Sequence, residues 1–373
     1  MSDKPESLTQ ADESALMQLR EEIDRLDTEI LALISKRANC AMKVAEVKMK
    51  ASGNAGAVFY RPEREAQVLT SVMDRNPGPL GNEDMAKLFR EIMSACLALE
   101  KPMEVAYLGP EGTFTQQAAL KHFGQWVKTK PMPAIDEVFR EVEAGACNYG
   151  VVPVENSSEG IVNHTLDTFI TSNIKICGEV ELRIHHHLLA GPNTKHDKIS
   201  RIYSHQQSLA QCRKWLDAHM PHAERIAVSS NAEAAKRVQG EWNSAAIAGE
   251  LAASLYDLEI VESKIEDSPD NSTRFLIIGT EQVGPSSEDK TSLVVSMRNE
   301  PGALYHLLKP FNEFGVDMTR LETRPSMTGN WTYVFFIDFA GHCEDESAIK
   351  VINAIRETAV DVKVLGSYPK GVL

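Results

Sequence analysis

From Leu16 to about Ala51 the chain holds one helical pattern without a break, and this stretch limits the possible architectures more than any other. Leu19, Ile23, Leu26, Ile30, Leu33, Ile34, Ala41, Val44 and Ala45 recur at the i, i+3, i+4 spacing of a single helix face, and no Pro or Gly intervenes before Gly53. At roughly 1.5 Å per residue, a run of about 35 residues is on the order of 50 Å long, more than a small domain can cover. The helix therefore calls for a partner. Arg37 and Lys48, eleven residues apart, return to within about 20° of one face and lie about 16 Å apart along the axis, so their long side chains can converge on one small anion. Arg20 lies about 25 Å from Arg37 and about 100° around the helix. It cannot reach the same pocket in one protomer, but an antiparallel pairing of two copies would carry it there. The alternative is a solvated face with scattered cations.

After a predicted loop at Gly53–Gly56, Arg61-Pro62-Glu63-Arg64-Glu65 opens a second helix, with Pro suited to the first turn and acids complementing the dipole. It stops before Pro77-Gly78-Pro79, and Asn82 caps a third helix on which Cys96 and Glu100 share a face. From Met103 the texture changes to short apolar strands alternating with helices, the pattern of an α/β domain. Strands are expected at 104–108, 149–154, 174–180, 199–203, 225–228, 245–247 and 274–278, with one of the intervening helices capped by Asn231. Residues 291–373 read strand, helix, strand (316–322), strand (332–339), helix, strand, which is a ferredoxin-like α+β sandwich. The expected organisation is multidomain: an all-α domain (1–102), an α/β domain (103–280), a Gly/Pro/Ser-rich linker (281–290) and the α+β domain (291–373).

A hydrophobic content of 43% with 25% charged residues fits a soluble globular chain, and the net charge of −14 argues against nucleic acid as a partner. No 18-residue apolar run and no N-terminal h-region occur, so neither a membrane span nor a secretory signal is expected and the predicted location is cytoplasmic. The six cysteines are scattered singly, as reduced core residues would be. His185-His186-His187 invites a metal reading, but on a strand His186 would face away from the other two, and no carboxylate or Cys nearby in the sequence completes a shell; no metal or other cofactor is expected. Ser204-His205, adjacent at a strand end, would point apart and so do not make a nucleophile pair.

Arg20, Arg37, Lys48 and Arg64 suit a dianionic ligand, since guanidinium groups hold carboxylates bidentately. Their spacing, together with Glu65, resembles the all-helical chorismate mutase family over essentially the first hundred residues. The resemblance implies that Arg37, Arg64 and a partner copy's Arg20 bind the two carboxylates. It further implies that Lys48 donates to the ether oxygen and that Glu65 holds the ring hydroxyl. Glu100 and Cys96 stand where a Gln donor and a Ser are expected. A carboxylate donates only when protonated, so Glu100 is expected to have a pKa raised by burial. Gly109 to Phe114, with Thr113 at a helix start, makes a possible carboxylate cradle. With Glu155-Asn156-Ser157, Tyr203-Ser204-His205 and Asn271-Ser272-Thr273-Arg274-Phe275, it resembles prephenate dehydratase from about Met103 to Thr280, implying a two-lobed domain like the periplasmic binding proteins. On that resemblance Thr273 assists departure of the ring hydroxyl, and Glu155, Asn156, Ser204 and Gln211 share its cleft. Pro301-Gly302-Ala303-Leu304 and Glu322-Thr323-Arg324-Pro325 resemble the amino-acid-binding ACT domain, with Gly302, Ala303, Leu304, Glu322, Thr323 and Arg324 around a phenylalanine site. The three together imply a bifunctional enzyme of phenylalanine biosynthesis, feedback-inhibited by phenylalanine, working as a homodimer or higher oligomer. The alternatives are a dehydratase with a purely dimerising helical N-terminus, or a non-catalytic phenylalanine-sensing binding protein.

Overall fold

A computed structural model describes residues 9–56, 60–325 and 333–371. The first expected helix runs from Gln10 to Gly56 as α1, passing through Gly53 where a loop was expected. Helix α2 (Pro62–Arg75) has Pro at its start and Glu63 and Glu65 in its first turn, and α3 spans Asn82–Glu100. These helices divide between two compact units: residues 1–60 with 92–102, and residues 61–91 with 103–373. In the first unit α1 buries Ala45, α3 buries Cys96, and the apolar stripe Leu19, Ile23, Leu26, Ile30 and Leu33 stays exposed.

In the second unit the α/β part starts with β1 (Glu104–Leu108), α4 (Phe114–Phe123), β2 (Lys128–Met132), α5 (Ile135–Glu143), β3 (Tyr149–Asn156), β4 (Gly160–Ile161), α6 (Asn163–Thr171) and β5 (Lys175–Arg183). It continues with β6 (His187–Ala190), β7 (Arg201–His205), α7 (Gln206–Gln211), α8 (Arg213–His219), β8 (Glu224–Val228), α9 (Asn231–Val238), β9 (Ser244–Ala248), α10 (Glu250–Leu255), β10 (Glu259–Glu262) and β11 (Ser272–Gly279). One sheet has the order β2-β1-β3-β11-β5 with β4 beside β3, and the other has the order β10-β6-β9-β7-β8. Two lobes result, joined where the chain crosses at 184–186 and returns at 263–271. The crossings pair with each other: Ile184 N–H donates to Asn271 O at 2.9 Å, and Ile265 N–H to His186 O at 2.8 Å. Edge strands β2 and β10, rich in Lys or Glu, lack the apolar run that marks the central strands.

Three further expectations in this region and among the cysteines need correction. Ser230, not Asn231, caps α9, its hydroxyl accepting from Glu233 N–H. Of the three histidines only His187 lies in a strand; His185 and His186 precede it, in the crossing. Cys40 is exposed and Cys343 partly so, whereas the other four cysteines are buried.

The C-terminal part comprises β12 (Asp289–Met297), α11 (Ala303–Glu313), β13 (Met318–Pro325), β14 (Tyr333–Ala340), α12 (Glu346–Thr358) and β15 (Asp361–Pro369), in the sheet order β13-β14-β12-β15. The Glu322–Pro325 motif lies inside β13 rather than after it, and Thr332 of the expected next strand is outside the described residues. One face of this sheet buries Leu307, Phe311, Val351 and Ile355 of its own helices. Its other face contributes Val294, Phe336, Leu365 and Tyr368 to the same core as Val152, Leu276 and Phe169 of the first lobe. At Gly366 the backbones nearly touch: a Cβ there would stand 2.1 Å from Ile176 O.

Candidate functional site

Two clusters deserve a chemical reading, one in each unit. In the first, Arg37 and Lys48 of α1 face Glu100 at the end of α3 closely enough to act on its ionisation. Burial pushes the Glu100 carboxyl above the usual carboxylate range, and the attraction of Lys48 and Arg37 only partly opposes it. Its Oε2 is buried and has no hydrogen-bond partner among the described residues. Cys96, one turn earlier, is buried. Arg20 is exposed on α1. Arg64 and Glu65 lie on α2 in the other unit, where Arg64 donates to Gln67 Oε1 at 3.4 Å and Arg90 Nε meets Glu65 Oε1 at 3.2 Å.

The second cluster sits where the two crossings meet the first lobe. Asn156, at the end of β3, is opposite Thr273 of β11. Asn156 Oδ1 accepts from the backbone N–H groups of Ser158 (2.9 Å) and Glu159 (3.1 Å), which fixes the amide so that Nδ2 donates to Thr273 Oγ1 at 2.7 Å and to Asn271 Oδ1 at 3.0 Å. Because Thr273 Oγ1 accepts the hydrogen bond from Asn156, its own O–H remains to donate. Asn271 Nδ2 in turn reaches Gln211 Oε1 at 3.2 Å, and the same oxygen lies 2.9 Å from His186 Nε2. An amide oxygen can only accept, so His186 carries its proton on Nε2, and Nδ1 has no partner among the described residues. Burial lowers the pKa of His186 and keeps the imidazole neutral. Glu266 braces the crossing, its carboxylate taking His185 Nδ1 at 2.7 Å and His186 N–H at 2.9 Å.

The structure thus gathers Thr273, Asn156 and Gln211 and adds Asn271 and His186, which are not among the residues expected from the sequence. The other expected residues are placed elsewhere. Ser204 Oγ is fully buried, 2.7 Å from Ile247 O and 2.9 Å from Asn231 Oδ1, inside its own lobe. Glu155 faces the C-terminal sheet, 3.2 Å from Arg320 Nη1. Thr113 caps α4, its hydroxyl donating to Leu108 O at 3.2 Å and accepting from Gln116 N–H. The turn it closes is nonetheless near: the Phe114 ring meets His186 edge-on at 5.6 Å. In the C-terminal part Gly302 takes φ +86°, a left-handed turn that favours glycine, just before α11. Ala303 follows it half-buried, and Leu304 is exposed. Glu322 and Thr323 lie on β13 with Arg324, whose guanidinium grips Asp167 of α6 through two Nη2 bonds of 2.8 and 2.7 Å.

Family models described as chorismate mutase type II, prephenate dehydratase and ACT domain match residues 19–101, 105–283 and 291–357. The chain is 66% identical, over 97% of its length and 100% of the relative's, to the bifunctional chorismate mutase/prephenate dehydratase of Pseudomonas aeruginosa. Against the protein of the same description from Aquifex aeolicus, identity is 43% over 96% of this chain and 99% of that one. Prephenate dehydratase from Arthrobacter aurescens, solved in complex with L-Phe, superimposes with a TM-score of 0.67 at 32% identity, covering 72% of this chain and 90% of that one. The order of the three matched segments and the full-length identity lead to one conclusion: this chain belongs to the bifunctional chorismate mutase/prephenate dehydratase family, with a C-terminal ACT domain.

Proposed function

We infer that this protein converts chorismate to prephenate in its helical N-terminal part and prephenate to phenylpyruvate in its two-lobed part, under feedback inhibition by phenylalanine. The hydrogen-bonded set around Thr273 supports the second reaction most directly. Loss of carbon dioxide from prephenate pushes electrons through the ring and expels the ring hydroxyl, which leaves as water after gaining a proton. Thr273 O–H donates to that departing oxygen, and the proton that completes the water is made good at Oγ1 from solvent, while the Asn156 amide, bonded to Oγ1, keeps the hydroxyl proton turned outward and supports the oxygen as the proton shifts. Asn271, Gln211 and neutral His186 hold the Asn156 amide without adding a charge.

In the first reaction the ether C–O bond breaks as a C–C bond forms, so no nucleophile is needed. Catalysis is selection of the compact conformer plus stabilisation of charge on the ether oxygen. Lys48 and a protonated Glu100 donate to that oxygen. Arg37, Arg64 and Arg20 of the partner subunit bind the carboxylates, and Glu65 takes the ring hydroxyl. Cys96, buried one turn before Glu100, contributes packing. The exposed apolar stripe of α1 supports a second copy as the partner, because a patch of that length left in water invites association. Phenylalanine binds at Gly302–Leu304 and Glu322–Arg324, a reading supported by the ACT match and by the L-Phe complex of the Arthrobacter protein. Thr113, Glu155 and Ser204 act by holding backbone and domain contacts. Free cysteines throughout accord with a reducing, cytoplasmic setting; no helix among the described residues is long and apolar enough to cross a membrane.

The test is to supply the purified protein with chorismate, then separately with prephenate, with and without phenylalanine. Both substrates should yield phenylpyruvate, and phenylalanine should depress that yield. Turnover of prephenate alone would leave the helical part as a dimerising element, and no turnover of either would favour the binding-protein alternative.

A further inference from the structure

Successive residues of a strand face opposite sides of the sheet, and on β3 an irregularity decides which residue faces where. Along β11, Thr273 pairs with Asn156 and Arg274 with Glu155, but the next residue, Phe275, pairs with Pro153. Val154 is therefore an extra residue, a β-bulge that turns over the end of β3. Asn156 and Thr273 consequently share the cleft side, and Glu155 and Arg274 share the opposite side.

On that opposite side stands the C-terminal sheet, and it engages both residues. Arg274 Nη1 lies 2.8 Å from Asp338 Oδ2 of β14, and its Nη2 donates to the Tyr368 hydroxyl of β15 at 3.2 Å. Glu155 meets Arg320 of β13 at 3.2 Å. The Arg274–Asp338 pair is largely shielded from water, with side-chain exposures of 17% and 11%, and Ser292 of β12 fixes the other oxygen of Asp338 at 2.6 Å. Arg274, whose Nε also meets Glu179 Oε2 of β5 at 2.8 Å, thus ties its own lobe to the C-terminal sheet, and Glu155 is held by that sheet through Arg320.

We propose that Arg274 and Glu155 are positioning residues for the dehydratase reaction, and that the ACT domain, through Asp338 and Arg320, sets the strand geometry that aims the Thr273 hydroxyl and the Asn156 amide. This rests on the reading of Thr273 and Asn156 given above. Arg274 and Glu155 both face away from the cleft, so loosening the grip lowers turnover and leaves substrate affinity nearly unchanged. A shift of about 1 Å in a reacting group costs on the order of 100-fold in rate, and partial loosening gives a smaller loss. Phenylalanine bound to the ACT domain would have the same route to the catalytic pair.

The test uses the full-length protein with prephenate and no phenylalanine, and follows chorismate consumption in the same preparations as the measure of intact folding. Asp338→Asn and Arg320→Gln should each lower the dehydratase kcat about tenfold with KM within about twofold of the parent. Arg320→Glu should be impaired similarly, and combining it with Glu155→Arg should recover most of its loss. Should Asp338→Asn lose chorismate turnover as well, the two Arg320 variants, whose partner is half exposed, still decide the matter. An unchanged kcat in the folded variants, a rise in KM alone, or no recovery in the reciprocal pair would overturn the proposal. Thr273→Ala separates the levels: if it keeps dehydratase activity, the underlying reading fails, whereas a dead Thr273→Ala beside a fully active Asp338→Asn defeats this proposal alone.

Discussion

Glu100→Gln tests how a carboxyl group can do the work of an amide donor. Burial raises the Glu100 pKa, Lys48 and Arg37 pull against that rise, and the outcome is a group above its ordinary value. In the role proposed for Glu100 the acid form is the donor, so the active fraction is highest at low pH and is lost as pH climbs through the raised pKa. Above that point the protonated fraction, and with it the Glu100 contribution to kcat/KM, falls about tenfold per pH unit, each unit being 1.36 kcal/mol. The fall ends at a floor where the other donors act without Glu100. Deleting one donor to a developing oxyanion costs about 100- to 1000-fold, which sets the depth of that floor. A glutamine keeps its N–H at every pH, so the variant's alkaline limb should be flat, with activity at neutral pH equal to or above the parent's. Chorismate disappearance measured across the pH range in both proteins is the assay. Superimposable profiles would refute the reasoning, because the ionisation of Glu100 would then have no part in the rate.

Three other outcomes are expected. Gly366→Ala would put a Cβ 2.1 Å from Ile176 O, so the two strands must separate; melting curves should show a loss of about 1–3 kcal/mol or more, while Gly240→Ala, whose Cβ meets nothing within 4 Å, serves as the near-neutral control. For Glu266, burial favours the neutral form but the bonds from His185 and His186 N–H outweigh it, and the pKa is lowered. Its stabilisation is therefore present above the unfolded carboxylate value and lost as pH falls through the lowered one, so Glu266→Gln should melt below the parent at neutral pH, with the gap closing in acid. Finally, Arg20→Ala and Arg37→Ala homodimers should each lack mutase activity, and unfolding and refolding them together should restore about one quarter of the parent rate, since half the dimers are mixed and one of their two sites is intact. No restoration would place Arg20 outside the partner's site.

What could be read ahead of the structure follows from how local each feature is. The strand and helix order of the ACT domain, the long α1 and the Thr273 motif are written in periodicity and in contiguous residues. Asn271 and His186 were not legible as site residues, because they meet Gln211 only where two chain crossings, 80 or so positions apart in sequence, come together. The bulge at Val154 leaves no mark in the apolar pattern either, yet it decides which of the two neighbours faces the cleft, turning Asn156 to Thr273 and Glu155 to Arg320. Gly53 and Gly56 suggested a break that helical hydrogen bonding overrides, since an isolated glycine costs a helix only about 1 kcal/mol. Arg324 shows a motif residue whose contact lies in another domain: the fold brings Asp167 to it and no spacing foretells that.

The central claim is that one chain carries two separable reactions, the second depending on a single hydroxyl. Supplying chorismate to Thr273→Ala and identifying the products measures it. The account expects chorismate to be consumed at the parent rate while prephenate accumulates mole for mole and phenylpyruvate stays absent. Formation of phenylpyruvate at the parent rate, or loss of chorismate consumption in a variant that is otherwise folded, would contradict it.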